Sequence, residues 1–262
     1  MKVLTALIAA LLMTANALYA QDEDIEDFSF EQEPLREESS PYFAIAGGYT
    51  ATFYNLGGNF NDLNALLSDQ YELGSIDAPV FMNGVQGFTG LILIPNLRLG
   101  FFGLSGMKSV ERDINIDGQN PSYTRKADYT IGLTGLTIDY GIVPFEHFAI
   151  LPGLGFGWGN LNLEVYQAPS ETDWTDLGTE LTNDPDIWKQ DIETGFWYLR
   201  PTINFEYALT NLVMFRLGAS YSYSFGEDWQ LNETAAVNNV PDNVNGSGLL
   251  IQFGLFLGLF NY

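Results

Sequence analysis

Gly195 to Gly226 reads GFWYLRPTINFEYALTNLVMFRLGASYSYSFG, and this stretch decides the fold. Odd-numbered positions over 197–209 and again over 213–225 carry apolar or aromatic side chains, whereas the even-numbered positions are mostly polar or small. Successive side chains of a β-strand point to opposite faces, so this alternation predicts two strands with one apolar and one polar face each. Both strands are longer than the five or six residues that are usual for strands of soluble sheets. The stretch therefore predicts a long hairpin with a very short turn.

Aromatic residues on the apolar face of this hairpin are spaced ten apart, with Trp197 and Tyr207 on the first strand and Phe215 and Phe225 on the second. At about 3.3 Å per residue and a tilt of about 40°, ten residues climb roughly 25 Å, the height between the aromatic girdles of a transmembrane barrel. The alternative is a soluble barrel in which Trp197 and its neighbours face inward. Periodicity alone leaves both alternatives open, because it does not say which face is inside.

A leader segment precedes the strands. Lys2, an apolar run over residues 3–13 and the small residues Ala17 and Ala20 form the pattern of a secretory signal peptide over residues 1–20, cleaved before Gln21. The apolar run is too short for a spanning helix. The sequence has no Cys, which leaves no site for a disulfide or a lipid anchor. We therefore expect an exported protein that folds without cross-links.

Acidic residues dominate the charge, which is −23 at pH 7 from 33 acids against 10 Lys and Arg. Nine of these acids crowd into residues 21–40 with a single base, Arg36, which predicts an acidic disordered linker. A docking tail for a basic periplasmic partner is the alternative. This charge repels nucleic acid, so no nucleic-acid partner is expected. No stretch after residue 20 supplies the roughly 20 apolar residues of a transmembrane helix, so any membrane crossing must be made by strands of a closed barrel.

The rest of the chain repeats the hairpin pattern. It predicts eight strands, at residues 42–54, 80–94, 97–111, 123–143, 148–166, 195–209, 213–225 and 248–262. The apolar residues of the fourth strand change parity around Thr134 and Gly135, which predicts a β-bulge there. Glycines at every second position over 153–159 share one face of the fifth strand. We expect them to make room in a narrow barrel interior.

The connection over residues 55–78 contains a short helical pattern. Leu63, Leu66, Leu67 and Tyr71 share one helical face; Asn61 or Asp62 can cap the start of the helix, and Gly74 can end it. Two placements are open: the helix covers the barrel rim, or it plugs the mouth of the barrel.

The connections after strands 1, 3, 5 and 7 are long and polar, and those after strands 2, 4 and 6 are short. Bacterial outer-membrane barrels have this alternation of long external loops and short periplasmic turns. The sequence therefore predicts an all-β protein: an eight-stranded antiparallel up-and-down transmembrane β-barrel over residues 41–262, with one short helix in the first long loop.

With this architecture and a final strand that ends in Phe260 and Tyr262, the chain resembles the small bacterial outer-membrane β-barrels of the OmpA, OmpX and OmpW type. The two aromatic residues look like the carboxy-terminal signal read by the barrel-insertion machinery. The resemblance implies an outer-membrane location and a monomer. It also implies outer-membrane lipid, that machinery and periplasmic chaperones as partners.

Charged residues occupy the polar face of several predicted strands. If the apolar faces point to lipid, five charged side chains point into the lumen: Arg98, Asp139, Arg200, Glu206 and Arg216. The interior of an eight-stranded barrel is barely wide enough for its own side chains, so these charges must be paired or hydrated. Two interpretations are open, a salt-bridge network that closes the lumen and a gate that admits small solutes or ions.

Catalytic and metal-binding patterns are weak. The single His, His147, falls in the short turn between strands 4 and 5, with no Ser near it in the predicted register. General base and nucleophile are both missing, so we predict no enzyme, no cofactor and no metal site. The first functional hypothesis is a non-enzymatic outer-membrane barrel with a packed polar lumen and a structural or surface role. The alternatives are a narrow porin-like barrel that passes small or apolar solutes, and a soluble ligand-binding barrel.

Overall fold

The computed structural model of the chain describes residues 42–55, 58, 60–116, 123–176 and 184–261. The predicted signal peptide (1–20), the predicted acidic linker (21–40) and Tyr262 lie outside the described residues.

Eight long strands form one antiparallel sheet in which each strand pairs with the next along the chain, and the last also pairs with the first. The sheet is therefore a closed eight-stranded up-and-down barrel, and the predicted fold class is confirmed. The strands are β1 (Phe43–Tyr54), β2 (Val80–Gly90), β3 (Leu97–Ile114), β4 (Tyr123–Tyr140), β5 (Phe148–Pro169), β6 (Trp188–Thr210), β7 (Val213–Phe225) and β8 (Gly248–Asn261).

Shorter elements fill the connections. Helix α1 (Asn61–Tyr71) follows β1, the strand Ile142–Phe145 pairs back onto β5, and a 3-10 turn covers Trp174–Asp176. The strands Gln230–Leu231 and Ala235–Ala236 form a small hairpin that extends β6. In the described residues, no helix is long and apolar enough to cross a membrane.

Strand bounds differ from the prediction at several ends. β2 stops at Gly90, and residues 91–96 make the turn, whereas β3 and β5 run on to Ile114 and Pro169. The connection between β3 and β4 is consequently short, so the strict alternation of connection lengths holds only for the other loops. We call the end of the barrel with the connections after β1, β5 and β7 the loop end. The opposite end, with the turns β2–β3, β4–β5 and β6–β7, is the turn end.

The bulge predicted in β4 is absent. β4 pairs with β3 and β5 without a register shift, and its odd-numbered residues face inward over 127–139. Ile131 therefore faces the lumen and Ile138 faces outward. Because the strand stays in register, the apolar residues of β4 move from its inner face to its outer face along the strand. This shift reflects a change in what surrounds the barrel at the two levels.

The same inversion occurs on β5. Leu154, Phe156 and Trp158 face outward near the turn end, and the outward positions that follow them toward the loop end are polar. The inward positions change from glycines to apolar residues over the same distance, from Gly159 to Leu161. The barrel thus has a belt zone, apolar outside, and an upper zone nearer the loop end, apolar inside and polar outside.

The belt zone contradicts the soluble-barrel alternative, which needs Trp197 and its neighbours inside. Trp197 lies on the outer face with 48% of its surface exposed, and Leu136 on β4 is 66% exposed. An outer face of this kind covers all eight strands and would aggregate in water. It is the surface expected of strands that face lipid, in a closed sheet whose eight long strands are each paired on both sides.

Candidate functional site

Four of the five predicted lumen charges meet in one buried cluster near the turn end. Arg98 forms ion pairs with Asp139 at 2.9 Å and with Glu206 at 2.8 Å, and Arg216 pairs with Glu206 at 2.5 Å. All four side chains are at most 1% exposed. We call these four residues the lumen ion cluster.

The register of the sheet explains how this cluster assembles. Arg98 stands directly opposite Asp139 on β3 and β4, and Glu206 stands directly opposite Arg216 on β6 and β7. Each pair is a neighbour pair on the inner face, where opposite charges attract. Arg98 then reaches across the lumen to Glu206, which joins the two pairs into one network that crosses the barrel.

Aromatic side chains complete the cluster. The hydroxyl of Tyr42 donates to Oε2 of Glu206 at 2.9 Å and accepts from Nη1 of Arg98 at 3.0 Å. The guanidinium groups of Arg98 and Arg216 lie over the ring of Phe88, at 4.0 and 4.7 Å from its centroid. Such contacts stabilise a desolvated cation. The network leaves the turn end of the lumen filled with side chains.

Arg200, the fifth predicted residue, is buried but stands apart from the cluster. It lies six residues from Glu206 along β6, opposite Gly155, and its guanidinium sits 3.8 Å from the centroid of the Phe102 ring. Its Nε and Nη1 have no hydrogen-bond partner among the described residues. Arg200 therefore points into the lumen as predicted but lies apart from the other four charges, because the strand carries it toward the loop end.

The glycine row of β5 has the role predicted for it. A Cβ at Gly153 would lie 2.0 Å from Oδ1 of Asp139, and a Cβ at Gly159 would lie 2.4 Å from the Phe196 ring. Gly155 lies against the Arg200 side chain. The row gives the interior the width that the large inward side chains need.

Helix α1 plugs the upper zone. Leu63, Leu67 and Tyr71 are buried among inward side chains of the strands, including Tyr129 and Leu161. Leu67 is fully buried in this upper core. The plug placement is therefore correct, and the rim placement is wrong.

The caps of α1 differ from the predicted ones. Phe60 occupies the N-cap position without a side-chain hydrogen bond, and the helix ends at Glu72 in a left-handed conformation instead of at Gly74. Glu72 closes the helix because its backbone N–H bonds the carbonyl of Ser68 at 3.2 Å, and the next N–H, on Leu73, bonds that of Leu67. The cap residues predicted from the sequence are therefore wrong at both ends of the helix.

Basic side chains hold the carboxyl end of α1. Arg125 donates to the carbonyl of Tyr71 at 2.7 Å, and Arg112 donates to that of Glu72 at 3.0 Å. Lys108 bonds the carbonyl of Asp77, in the segment that follows the helix. Cations at a helix carboxyl terminus complement the helix dipole and the free carbonyls. Sequence analysis missed this clamp, because nothing in the spacing of the two arginines points to a helix across the lumen.

The lumen is only partly polar. The ion cluster and small hydroxyl residues line the turn end and the middle, whereas the upper core is a continuous apolar cluster with α1 inside it. The expectation of a packed polar lumen is therefore wrong for the upper zone. The cause is the bulge predicted in β4, which placed Ile131 and Leu133 on the lipid-facing side.

A cavity of about 280 Å³ lies beside α1 at the loop end. We call it the mouth chamber. Its walls are mainly apolar and come from α1, from β4 to β6 and from the loop after β7: Leu63, Leu66, Tyr129, Leu161, Leu163, Ile192, Trp229, Val237, Val240, Pro241 and Val244, together with the polar Asp62, Asn162, Asn238 and Asn239.

The predicted aromatic girdle faces outward. Trp197 stands opposite Phe225 and Tyr207 stands opposite Phe215, so the four residues form two cross-strand pairs ten residues apart. Phe260 instead faces inward, in a small core near the ion cluster. Together with Tyr262, which lies outside the described residues, it remains a predicted insertion signal.

His147 lies in the β4–β5 turn with φ +65°. Its Nε2 is 3.4 Å from the carboxylate of Glu146. Among the described residues, no three acidic or His side chains are grouped so that they could hold a metal ion.

Replacing Leu67 with Ala tests the plug. Loss of a fully buried Leu costs about 2–5 kcal/mol through lost burial and the cavity left behind. We expect this loss to act on α1 first, so amide hydrogen exchange over residues 61–73 should accelerate at least tenfold while the belt zone stays protected. Asp69→Ala, at an exposed position of the same helix, should leave exchange unchanged. Equal exchange in both variants would contradict the plug.

Comparisons with known proteins come from structure alone, since no protein-family model and no curated protein match the sequence. The chain is similar to a major outer membrane protein from Thermus thermophilus, with a TM-score of 0.43 and 11% identity over 82% of this chain and 99% of that one. It is also similar to the outer membrane protein OprG from Pseudomonas aeruginosa, with a TM-score of 0.39 and 13% identity over 85% of this chain and 95% of that one. A third similar structure is Ail of Yersinia pestis, crystallised with the heparin analogue sucrose octasulfate, with a TM-score of 0.38 and 8% identity over 84% of this chain and 99% of that one. At these identities and TM-scores, the comparisons single out no individual protein.

Proposed function

We propose that the protein is a non-enzymatic barrel of the bacterial outer membrane, closed at rest, with a structural or surface role. The apolar belt between two aromatic girdles supports placement in a bilayer. A leader that reads as a signal peptide supports export, and an antiparallel barrel with an even strand number is the form that outer-membrane proteins take.

The observation that carries the closed state is the lumen ion cluster. Its four charged side chains, with Tyr42 and Phe88, fill the barrel at one level and are sealed from solvent. Breaking such a network leaves buried charges without partners, which costs several kcal/mol. The upper zone holds a second closure, α1. Two independent closures in series favour a barrel that does not conduct.

Planar-bilayer recordings test this state. The purified protein is expected to give no unitary current steps. A variant with residues 61–71 replaced by a Gly-Ser segment should stay silent too, because the ion cluster still closes the turn end. Steady current in the unmodified protein that disappears in Arg216→Ala would contradict the closed state and would favour the porin-like alternative.

The mouth chamber supports a second candidate function, uptake of small apolar solutes. A concave cavity with mainly apolar walls is the usual form of a site for such molecules. The chamber lies beside the clamped helix, so a solute that enters it meets α1 before it meets the ion cluster. Passage through the barrel then requires α1 and the cluster to rearrange.

A further inference from the structure

A second cavity, of about 370 Å³, adjoins the mouth chamber within the loop after β7. We call it the acceptor cup. The polar part of its lining has three carboxylates, three amides and one hydroxyl: Glu227, Asp228, Asp242, Asn238, Asn239, Asn245 and Ser224. Carboxylates only accept hydrogen bonds, so the cup suits a group that donates them or carries positive charge.

One wall separates the cup from the chamber. Seven residues line both cavities: Trp229, Val237, Asn238, Asn239, Val240, Pro241 and Val244. A mainly apolar space and a mainly polar space therefore adjoin along this shared wall. The indole of Trp229 at this boundary is the aromatic group that attracts cations most strongly.

The basic residues of the described barrel are all placed elsewhere. Three belong to the lumen: Arg98, Arg200 and Arg216. Arg112 and Arg125 clamp α1, and Lys108 bonds the segment that follows it. Lys126 and Lys189 pair with Asp128 and Glu164 on the outer face, at 3.1 and 2.6 Å. None of the eight lines either cavity, so neither has a cation to hold an anionic head group.

We propose that the mouth chamber and the acceptor cup form one site that selects cationic amphiphiles, with the alkyl chain in the chamber and an ammonium head at the cup. This inference rests on the second candidate function, the binding of apolar solutes in the chamber. It adds the charge of the ligand: ammonium is favoured over a neutral head, and a carboxylate head is excluded by repulsion from Glu227, Asp228 and Asp242.

The test compares three ligands of one chain length, octylammonium, octanol and octanoate, at pH 7. The full chain in nanodiscs of zwitterionic phospholipid is titrated with each ligand, and empty nanodiscs give the partition background. Isothermal calorimetry and Trp fluorescence report binding. We expect octylammonium to bind at least tenfold more tightly than octanoate, with octanol between them, and added salt to reduce the ratio, because it screens partly exposed charges.

Two triple variants isolate the charge of the cup. Glu227→Gln with Asp228→Asn and Asp242→Asn should bring the octylammonium-to-octanoate ratio within about threefold of one while octanol binding stays unchanged. The matched control makes the same charge change at exposed positions away from both cavities, Glu111→Gln with Glu146→Gln and Asp173→Asn, and should keep the original ratio.

The outcomes separate the two levels of the proposal. If octanol binds but octanoate binds as tightly as octylammonium, the charge selection is wrong and the apolar chamber stands. A ratio that falls equally in both triple variants also overturns the selection, because it reports overall charge and not the cup. If none of the three ligands binds above the nanodisc background, the chamber is not a ligand site and the second candidate function fails with it.

Discussion

Replacing Glu206 with Ala is expected to destabilise the barrel by about 3–5 kcal/mol, since removal of one partner from a buried ion network leaves the others uncompensated. Glu206 is the carboxylate shared by Arg98 and Arg216, and it is fully buried. Its loss leaves two buried guanidinium groups, those of Arg98 and Arg216, with Asp139 as the single remaining acid of the cluster. The expected result is a large drop in the urea concentration at which the folded, fast-migrating gel band disappears.

A compensating variant separates lost charge balance from lost packing. Glu206→Gln combined with Arg216→Met removes both charges of one pair and leaves Arg98 with Asp139 at 2.9 Å. Replacement of a whole buried pair by groups of similar volume is often nearly neutral, so this double variant should recover most of the stability. Glu193→Ala, on the outer face of the upper zone, is the control and should change little. A double variant as unstable as Glu206→Ala would contradict the ion-pair account.

Replacing Gly157 with Ala is expected to prevent the barrel from forming. A Cβ at this position would lie 2.1 Å from the carbonyl oxygen of Thr134 and 2.7 Å from the hydroxyl of Tyr198. The first contact is with the backbone of a paired strand, which cannot move without breaking the β4–β5 register. Ordinary overpacking costs about 1–3 kcal/mol, and a backbone clash exceeds that range.

Gly195 provides the matched control for this substitution. It lies on β6 near the same level but faces outward, where an added Cβ meets one backbone oxygen at 4.0 Å. Gly195→Ala should therefore fold with normal yield. Both variants are compared by folded yield into detergent micelles, read as the heat-sensitive gel band. Normal folding of Gly157→Ala would show that the interior has room that the structure does not give it.

Period-two alternation predicted the strands, and the connection lengths together with the lack of a long apolar stretch pointed to a closed membrane barrel. Once the apolar faces are assigned to lipid, the same alternation places Arg98, Asp139, Arg200, Glu206 and Arg216 inside, because the two faces of a strand are a local property. It could not say which of these charges meet. The contact of Arg98 with Glu206 joins residues 108 positions apart and depends on how the barrel closes.

The upper zone escaped prediction for a different reason. Alternation shows that two faces differ, but it does not show which solvent each face meets. The parity change at Thr134 fits a bulge as well as it fits a strand that leaves the membrane. The pairing of β4 without a register shift decides for the second explanation. The clamp on α1 was equally hidden, since its bases bond backbone carbonyls that any sequence would supply.

Placement of the belt zone in lipid is the claim on which the rest depends, and quenching of Trp197 fluorescence tests it most directly. A variant that keeps Trp197 and carries Phe at Trp158, Trp174, Trp188 and Trp229 is folded into vesicles of phospholipid brominated on its acyl chains. The account predicts strong quenching by the brominated chains and little quenching by aqueous iodide. Efficient quenching by iodide, with none by the brominated lipid, would contradict it.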